Sequence, residues 1–330
     1  MNESSCSTSQ VQPSCFSEIL SAWDITFNRT HPEITIQGSP ERCNSRIVVE
    51  DQKHQKYLLE QISKEKRAHK ELIAKTLAYL TNHDTKNIIS YLPNKQGNSI
   101  TAINETYWQL RPYVDGIPLD RPAYVFDQWR GTVLARFLIQ LYKNSIEIKK
   151  EINLPSFSLK DYVSTMINNM NHYNPREYQQ ITHIIEYLHT TFFPVYNTIP
   201  QRFCHGDYHP LNIIWGNQTI KAVIDWEFMG IKIEIYDMAN LLGCIGIEEP
   251  TSLIDDLAIQ FIKTMKQSKI ISDTGWSFLF ECVLALRFAW LAEWLRTKDI
   301  EMIQMEIDYL NILYKNKTTI TSQWNQTSLE

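Results

Sequence analysis

Apolar positions follow two rhythms along this chain, and the change falls near residue 115. From 34 to 114 the segments are short and alternating. Residues 34–37 and 46–50 read as strands separated by Gly38-Ser39-Pro40, a turn signal, and 55–62 reads as a further strand. Residues 63–80 read as a helix, with Ser63 at its start and Leu72, Ile73, Thr76, Leu77 and Leu80 on one face. Residues 100–103 and 107–110 read as a hairpin that runs into Arg111-Pro112-Tyr113-Val114-Asp115-Gly116, where a proline and a glycine mark a hinge.

From Leu119 onward the spacing is helical. Val133, Leu134, Phe137, Leu138 and Leu141 carry it through 124–148, and it returns at 178–192, 252–265, 276–295 and 301–314. Residues 202–226 interrupt it: Gly206, Pro210 and Gly216 break helix, while 212–215 and 222–224 read as short strands. The expected organisation is a tail and lead-in over 1–30, a β-rich lobe over 31–113, a helical lobe over 114–315 and a polar tail over 316–330. The first fifteen or so residues and the tail after Tyr314 are expected to be loosely ordered.

Composition narrows the function classes. The chain has 330 residues, 43% hydrophobic and 21% charged, and its 32 basic and 37 acidic side chains give 32 − 37 = −5. No basic run suggests nucleic-acid binding. No apolar stretch reaches membrane-spanning length, since 278–290 is broken by Glu281 and Arg287. The first thirteen residues are polar and Ser-rich, without an apolar signal core. The six cysteines are scattered with no CxxC pair, which reads as thiols in a reducing cytoplasm.

Candidate chemistry is concentrated in Phe203-Cys204-His205-Gly206-Asp207-Tyr208-His209-Pro210-Leu211-Asn212. A carboxylate stands five residues before a carboxamide there, in a loop that Gly and Pro keep from being helical. Thirteen residues later, Asp225 follows the apolar run Ala222-Val223-Ile224. Phosphoryl transfer needs a carboxylate to orient and deprotonate the acceptor hydroxyl, and hard oxygen ligands to hold magnesium on the phosphates. Asp207 suits the first task, and Asn212 with Asp225 suits the second. His205 and His209 have the spacing of zinc ligands on a helix, but Gly206 and Pro210 oppose a helix and no Glu follows His205. His205 reads instead as a residue that holds the loop through hydrogen bonds.

His205-x-Asp207-x-x-x-x-Asn212, then Ile224-Asp225-Trp226-Glu227 and Tyr236-Asp237-Met238-Ala239-Asn240, resemble the aminoglycoside phosphotransferase and choline kinase superfamily. These enzymes are relatives of protein kinases. The resemblance implies an α+β, bilobal protein-kinase-like fold, with a small β-rich N-terminal lobe and a larger, mainly helical C-terminal lobe. It implies ATP and Mg²⁺ as cofactors, Asp207 and His205 in the catalytic loop, and Asp237 as a structural brace for that loop. Matching the hinge assigns adenine contacts to the Pro112 carbonyl and the Val114 N–H, a role for which proline needs only its carbonyl.

Two positions depart from the family. Its Gly-rich turn is reduced to Gly38-Ser39-Pro40-Glu41-Arg42, where one glycine permits one close approach to phosphate, Ser39 offers a donor and Arg42 or Arg46 offers charge. The lysine usual on the next strand is Glu60, so the Lys–Glu pair is expected to be rearranged. Lys56, Lys64 and Arg67 are the available substitutes, and Glu71 is the candidate acid of the following helix. These departures leave a second reading, a catalytically impaired kinase-like binding or scaffold protein.

For the acceptor, the segment from Ile224 to Phe228 and the late run Phe288-Ala289-Trp290-Leu291-Ala292-Glu293-Trp294 resemble the choline and ethanolamine kinase branch. Trp290 and Trp294 share a helical face where a cation–π contact to an amine is possible, or where both simply pack helices together. Glu293 and Glu227 complete the candidate acceptor set. An amino-alcohol is the expected small-molecule hydroxyl acceptor, with homoserine, aminosugars, sugars and aminoglycosides as alternatives. Neither nucleic acid nor membrane is an expected partner, and the oligomeric state is left open.

Overall fold

The computed structural model describes residues 13–327. Cys6 and the polar stretch before residue 13 lie outside them, as do the last three residues of the expected C-terminal tail. The chain divides into two compact units. The first holds the residues up to Ile117 together with Leu211–Ile214 and Lys221–Glu227; the second holds Pro118–Pro210, Trp215–Ile220 and the chain from Phe228 onward.

The first unit opens with helix α1 (Pro13–Ser21) and an antiparallel sheet of β1 (Phe27–Thr30), β2 (Ser45–Asp51) and β3 (Lys56–Ile62). Helix α2 (Arg67–Asn82) follows, then the hairpin β4 (Thr101–Ile103) and β5 (Thr106–Pro112), giving the strand order β1-β2-β3-β5-β4. Alternation gives the sheet two faces. Val49, Leu59, Trp108 and Leu110 pack with Phe16, Ile19, Leu20 and Trp23 of the α1 region. The lead-in that follows the polar N-terminal stretch is therefore part of this unit's core. On the other face the register aligns Arg46, Glu60 and Gln109 across three strands, with Arg111 two positions along opposite Leu58.

Residues 34–37 are not a strand. The Arg46 guanidinium donates to the carbonyls of Ile36 (3.0 Å), Gln37 (3.0 Å), Gly38 (2.6 Å) and Ser39 (3.5 Å), so a side chain satisfies the acceptors that a neighbouring strand would have taken. Helix α2 begins at Arg67 rather than Ser63: the Ser63 hydroxyl caps a preceding turn by accepting the Lys66 N–H at 3.4 Å.

The second unit is mainly helical. It contains α3 (Gln128–Asn144), a short α4 (Ile148–Glu151), α5 (Leu159–Tyr173) and α6 (Pro175–Thr191) before strand β6 (Gln201–Cys204). The hairpin β7 (Ile213–Gly216) and β8 (Thr219–Val223) has its base in the first unit and its tip in the second. Strand β9 (Gly230–Ile233) pairs antiparallel with β6. The remainder is α7 (Tyr236–Glu248), α8 (Asp256–Ser268), a short α9 (Asp273–Ser277), α10 (Leu279–Thr297), α11 (Ile300–Lys315) and α12 (Lys317–Gln326).

Helices α10 and α11 are joined by a buried bidentate ion pair, Arg287 to Glu306, with both N–O distances 2.6 Å. The expected loose tail instead contains α12, which docks through buried Ile320 and Trp324; the Trp324 indole N–H donates to the Leu253 carbonyl at 2.7 Å. Among the described residues no helix is long and apolar enough to cross a membrane, and the five described cysteines form no disulfide.

Candidate active site

Strand β6 ends at Cys204 and delivers the chain into the polar loop of the second unit. Asp237, in the first turn of α7, is fully buried and holds that loop by its backbone. Its carboxylate accepts the N–H of His205 and of Gly206, each at 2.8 Å. Burial, only partly offset by these two bonds, pushes its pKa from 3.8 up to about 6. His205 is buried, and its Nδ1 accepts the Asp207 N–H at 3.2 Å, so it orders the backbone under Asp207. Gly206 has φ +87°, and a Cβ there would meet the Phe228 carbonyl oxygen at 2.0 Å. Only glycine fits that turn. Asn240 donates to the Tyr208 carbonyl at 3.3 Å, and Tyr208 donates to the Leu134 carbonyl at 3.0 Å, fixing the far side of the loop.

Around Asp207 the second unit gathers aromatic and basic groups. His209 Nε2 lies 3.5 Å from Asp207 Oδ1, and its ring meets Trp290 edge-on at 6.5 Å. Trp290 stacks on Trp294 at 6.1 Å, as their spacing on α10 requires. The Arg287 guanidinium also lies 5.7 Å from the Trp290 ring. Glu293 is paired with Arg296 through two hydrogen bonds of 2.5 and 2.8 Å, so its charge is met within its own helix. A cavity of about 790 Å³ lies between α5 and the end of α10, lined by Phe157, Tyr162, Met166, Asn169, Leu295 and Arg296 among others; Asp207, His209, Trp290 and Trp294 are not among its lining residues.

The expected metal ligands lie in the first unit. Backbone pairing between the two segments brings them together: the Ile224 N–H donates to the Asn212 carbonyl at 3.0 Å, setting Asn212 beside the residue that precedes Asp225. Asp225 has φ +64°, a left-handed conformation in which an Asp is among the better tolerated residues. Its Oδ2 accepts the Ser39 N–H at 2.9 Å, and Gly38 (φ +89°) is so close that a Cβ would lie 3.1 Å from Oδ1. One carboxylate and one carboxamide, beside a turn whose glycine backbone approaches closely, fit Mg²⁺, which takes one or two protein carboxylates and fills its octahedron with waters and phosphates. Among the described residues no group of three or more His, Cys, Asp or Glu has a metal-site arrangement.

The other expected nucleotide residues are spread along this unit. Arg42 ends a short turn (Pro40–Arg42), and Pro112 closes β5 opposite Tyr57. Val114 packs against Ile214, Ala222 and Ile224 in a small apolar cluster with Ile89. Arg46 is committed to the turn carbonyls and does not point charge outward.

Glu60 resolves the departure at the lysine position. It is turned into the sheet's polar face, accepting from the Tyr91 hydroxyl (3.0 Å) and the Gln109 amide (3.1 Å), with Arg111 Nη2 at 3.9 Å. Burial alone would lower the Arg111 pKa, but the charges of Glu60, Tyr91 and Asp225 outweigh it and raise it. Glu71 is exposed and pairs with Arg67 at 2.9 Å, so it is not the inward acid of α2. The inward residue is Lys70, whose ammonium is bonded to Glu227 Oε1. His69 Nε2 reaches the same residue, 2.9 Å from its carbonyl and 3.3 Å from Oε2. Burial raises the Glu227 pKa, but the His69 hydrogen bond and the Lys70 charge outweigh it and hold the group below the usual carboxylate range. Sequence reasoning passed over Lys70 and His69. The available signal was Lys70 at i with Ile73, Ala74 and Leu77 at i+3, i+4 and i+7, which puts a lysine on the buried stripe.

A family model described as the phosphotransferase enzyme family matches residues 39–269. The chain belongs to that family. Phosphotransferase enzymes are also its structural neighbours. An aminoglycoside phosphotransferase from Alicyclobacillus acidocaldarius superposes with a TM-score of 0.67 at 13% identity, over 98% of this chain and 99% of that one. The GDP complex of aminoglycoside 2′-phosphotransferase-IIIa gives 0.64 at 17% identity, over 93% and 100%. Amicoumacin kinase, in complex with AMP-PNP, Ca²⁺ and Ami, gives 0.64 at 11% identity, over 90% and 92%. No curated protein matches by sequence. The fold is thus the α+β protein-kinase-like fold that the motif resemblance implied.

Proposed function

We propose that this phosphotransferase moves the γ-phosphoryl group of ATP, with Mg²⁺, to a hydroxyl of a small molecule. The observation that carries the reading is the pair of hydrogen bonds that the His205 and Gly206 amides donate to the Asp237 carboxylate, which fixes the backbone that presents Asp207. Asp207 orients the acceptor hydroxyl and takes its proton as the oxygen bonds to the γ phosphorus, and the bond to the β–γ bridging oxygen breaks to release ADP. Asn212 and Asp225 would hold Mg²⁺, which supplies charge neutralisation on the phosphate oxygens. Gly38 and Ser39 would bring backbone close to the phosphates, with Arg42 supplying charge beside them. The Pro112 carbonyl and Val114 N–H would hold adenine.

The acceptor we propose is a hydroxylated amine. Trp290, linked to Asp207 through His209, offers an aromatic surface for a cation, and Trp294 extends it. Glu293 is met by Arg296, and Glu227 by Lys70 and His69, which makes both weaker candidates than the tryptophans for direct amine binding. Choline or ethanolamine is the smallest acceptor of this kind. Aminosugars and aminoglycosides are larger members of the same class.

A thermal-shift titration with ATP tests the nucleotide half. Stabilisation that requires Mg²⁺ and is lost in Asp225→Asn supports the enzyme reading, because a ligand bound only by the folded state must stabilise it. No shift at saturating nucleotide would instead favour the binding or scaffold reading that Glu60 and the single-glycine turn first raised.

A further inference from the structure

Lys70 is a charge where helix amphipathicity calls for an apolar side chain. Its side chain is 3% exposed, on the same stripe as Ile73, Ala74 and Leu77. Burying a charge is strongly unfavourable unless it is paired, and the partner here is Glu227. That partner stands two residues after Asp225, so its Cα lies within about 7 Å of the metal-ligand Cα. Glu227 is also shared with His69, which leaves it answering two nitrogen groups with one carboxylate. Four other basic groups of this unit are engaged elsewhere. Arg46 holds the turn carbonyls, Lys66 donates to the Glu41 carbonyl at 2.5 Å, Arg67 pairs with Glu71 and Arg111 faces Glu60.

We propose that Lys70 is the cation that grips the nucleotide phosphates, and that Glu227 is the positioning carboxylate that holds it. The strand-lysine and helix-glutamate arrangement expected of the family is thereby inverted. Here the strand carries a carboxylate, Glu60, retired into a neutralising network with Tyr91, Gln109 and Arg111, and the helix carries the cation. The geometry favours this over a purely structural pair because the anchor is tied to the segment that bears Asp225. Phosphates arriving at Asp225 through the metal compete with Glu227 for the same ammonium. The inference rests on the nucleotide reading above.

The test is calorimetric binding of adenosine, ADP and ATP, each with Mg²⁺, to the full chain as wild type, Lys70→Met and Lys70→Arg. Lys70→Met is expected to weaken ADP and ATP about 10- to 100-fold, the worth of a charge-assisted hydrogen bond, while adenosine binds as before. Lys70→Arg should recover part of the loss. Equal weakening of all three ligands, or unchanged ADP and ATP binding, would overturn the assignment. If Lys70→Met does not fold because Glu227 is left with His69 alone, the double variant Lys70→Met with Glu227→Gln removes both charges and is read in the same way. Wild type that binds adenosine but gains nothing from phosphates overturns Lys70 alone; wild type that binds none of the three overturns the nucleotide reading with it.

Discussion

Replacing Asp237 by Asn keeps the shape of the loop brace and removes its charge, and the structure sets the size of the effect. With its pKa raised from 3.8 to about 6, the folded protein holds a proton on Asp237 between those values while the unfolded chain does not. Folding stability contributed by this group therefore falls as pH rises from about 4 to about 6, and is flat above that. Two pK units correspond to about 3 kcal/mol. At pH 7 the variant escapes that cost, but its NH₂ must face one of the two loop N–H groups, which costs about 1–3 kcal/mol. The two proteins should thus have similar stability at pH 7, and the wild type should gain about 2 kcal/mol relative to the variant by pH 4. Urea denaturation of both at pH 4, 5, 6 and 7 measures the difference directly, since every other carboxylate titrates in both. Turnover at pH 7 should fall about 100-fold in the variant despite matched stability, because Asp207 is presented by the displaced loop. A stability difference that stays constant from pH 4 to 7 would refute the buried, raised carboxylate, and unchanged turnover would refute its bracing role.

Two further substitutions probe the parts around it. Gly38→Ala puts a Cβ at φ +89° within 3.1 Å of the Asp225 carboxylate, a strain of about 1–3 kcal/mol. The KM for ATP should rise about tenfold in steady-state assays, and an unchanged KM would separate this turn from the nucleotide. Arg287→Ala strands Glu306, which is fully buried, and should destabilise the second unit by about 3–5 kcal/mol in thermal unfolding. The paired change Arg287→Met with Glu306→Leu should be much milder, and equal damage from both would show that lost volume rather than the stranded charge dominates.

The polar loop was legible because its residues are close in sequence. Asp207, Asn212 and Asp225 span nineteen positions, and glycine and proline mark the backbone that holds them. Asp237 was legible as a brace through the family pattern, and its hydrogen bonds to residues 205 and 206 give that role a geometry. What escaped were pairings between distant segments. Residues 34–37 alternate like a strand, yet Arg46 takes their carbonyls, a choice that no local pattern encodes. Helix α12 has few apolar residues and shows its stability only once Trp324 finds the Leu253 carbonyl. Lys70 is separated from Glu227 by 157 positions. Its inward direction was written in the α2 periodicity, whereas the identity of its partner depends on the folded unit.

Acceptor-dependent ADP formation measures the central claim most directly. Wild type and Asp207→Ala should be assayed side by side with Mg-ATP across choline, ethanolamine, homoserine, aminosugars, sugars and aminoglycosides. The account predicts that at least one hydroxylated amine drives ADP release by the wild type. It also predicts that Asp207→Ala binds ATP with unchanged affinity and loses this turnover by at least about 100-fold. Near-normal turnover in Asp207→Ala would contradict the account, as would a wild type that binds Mg-ATP yet phosphorylates none of these alcohols.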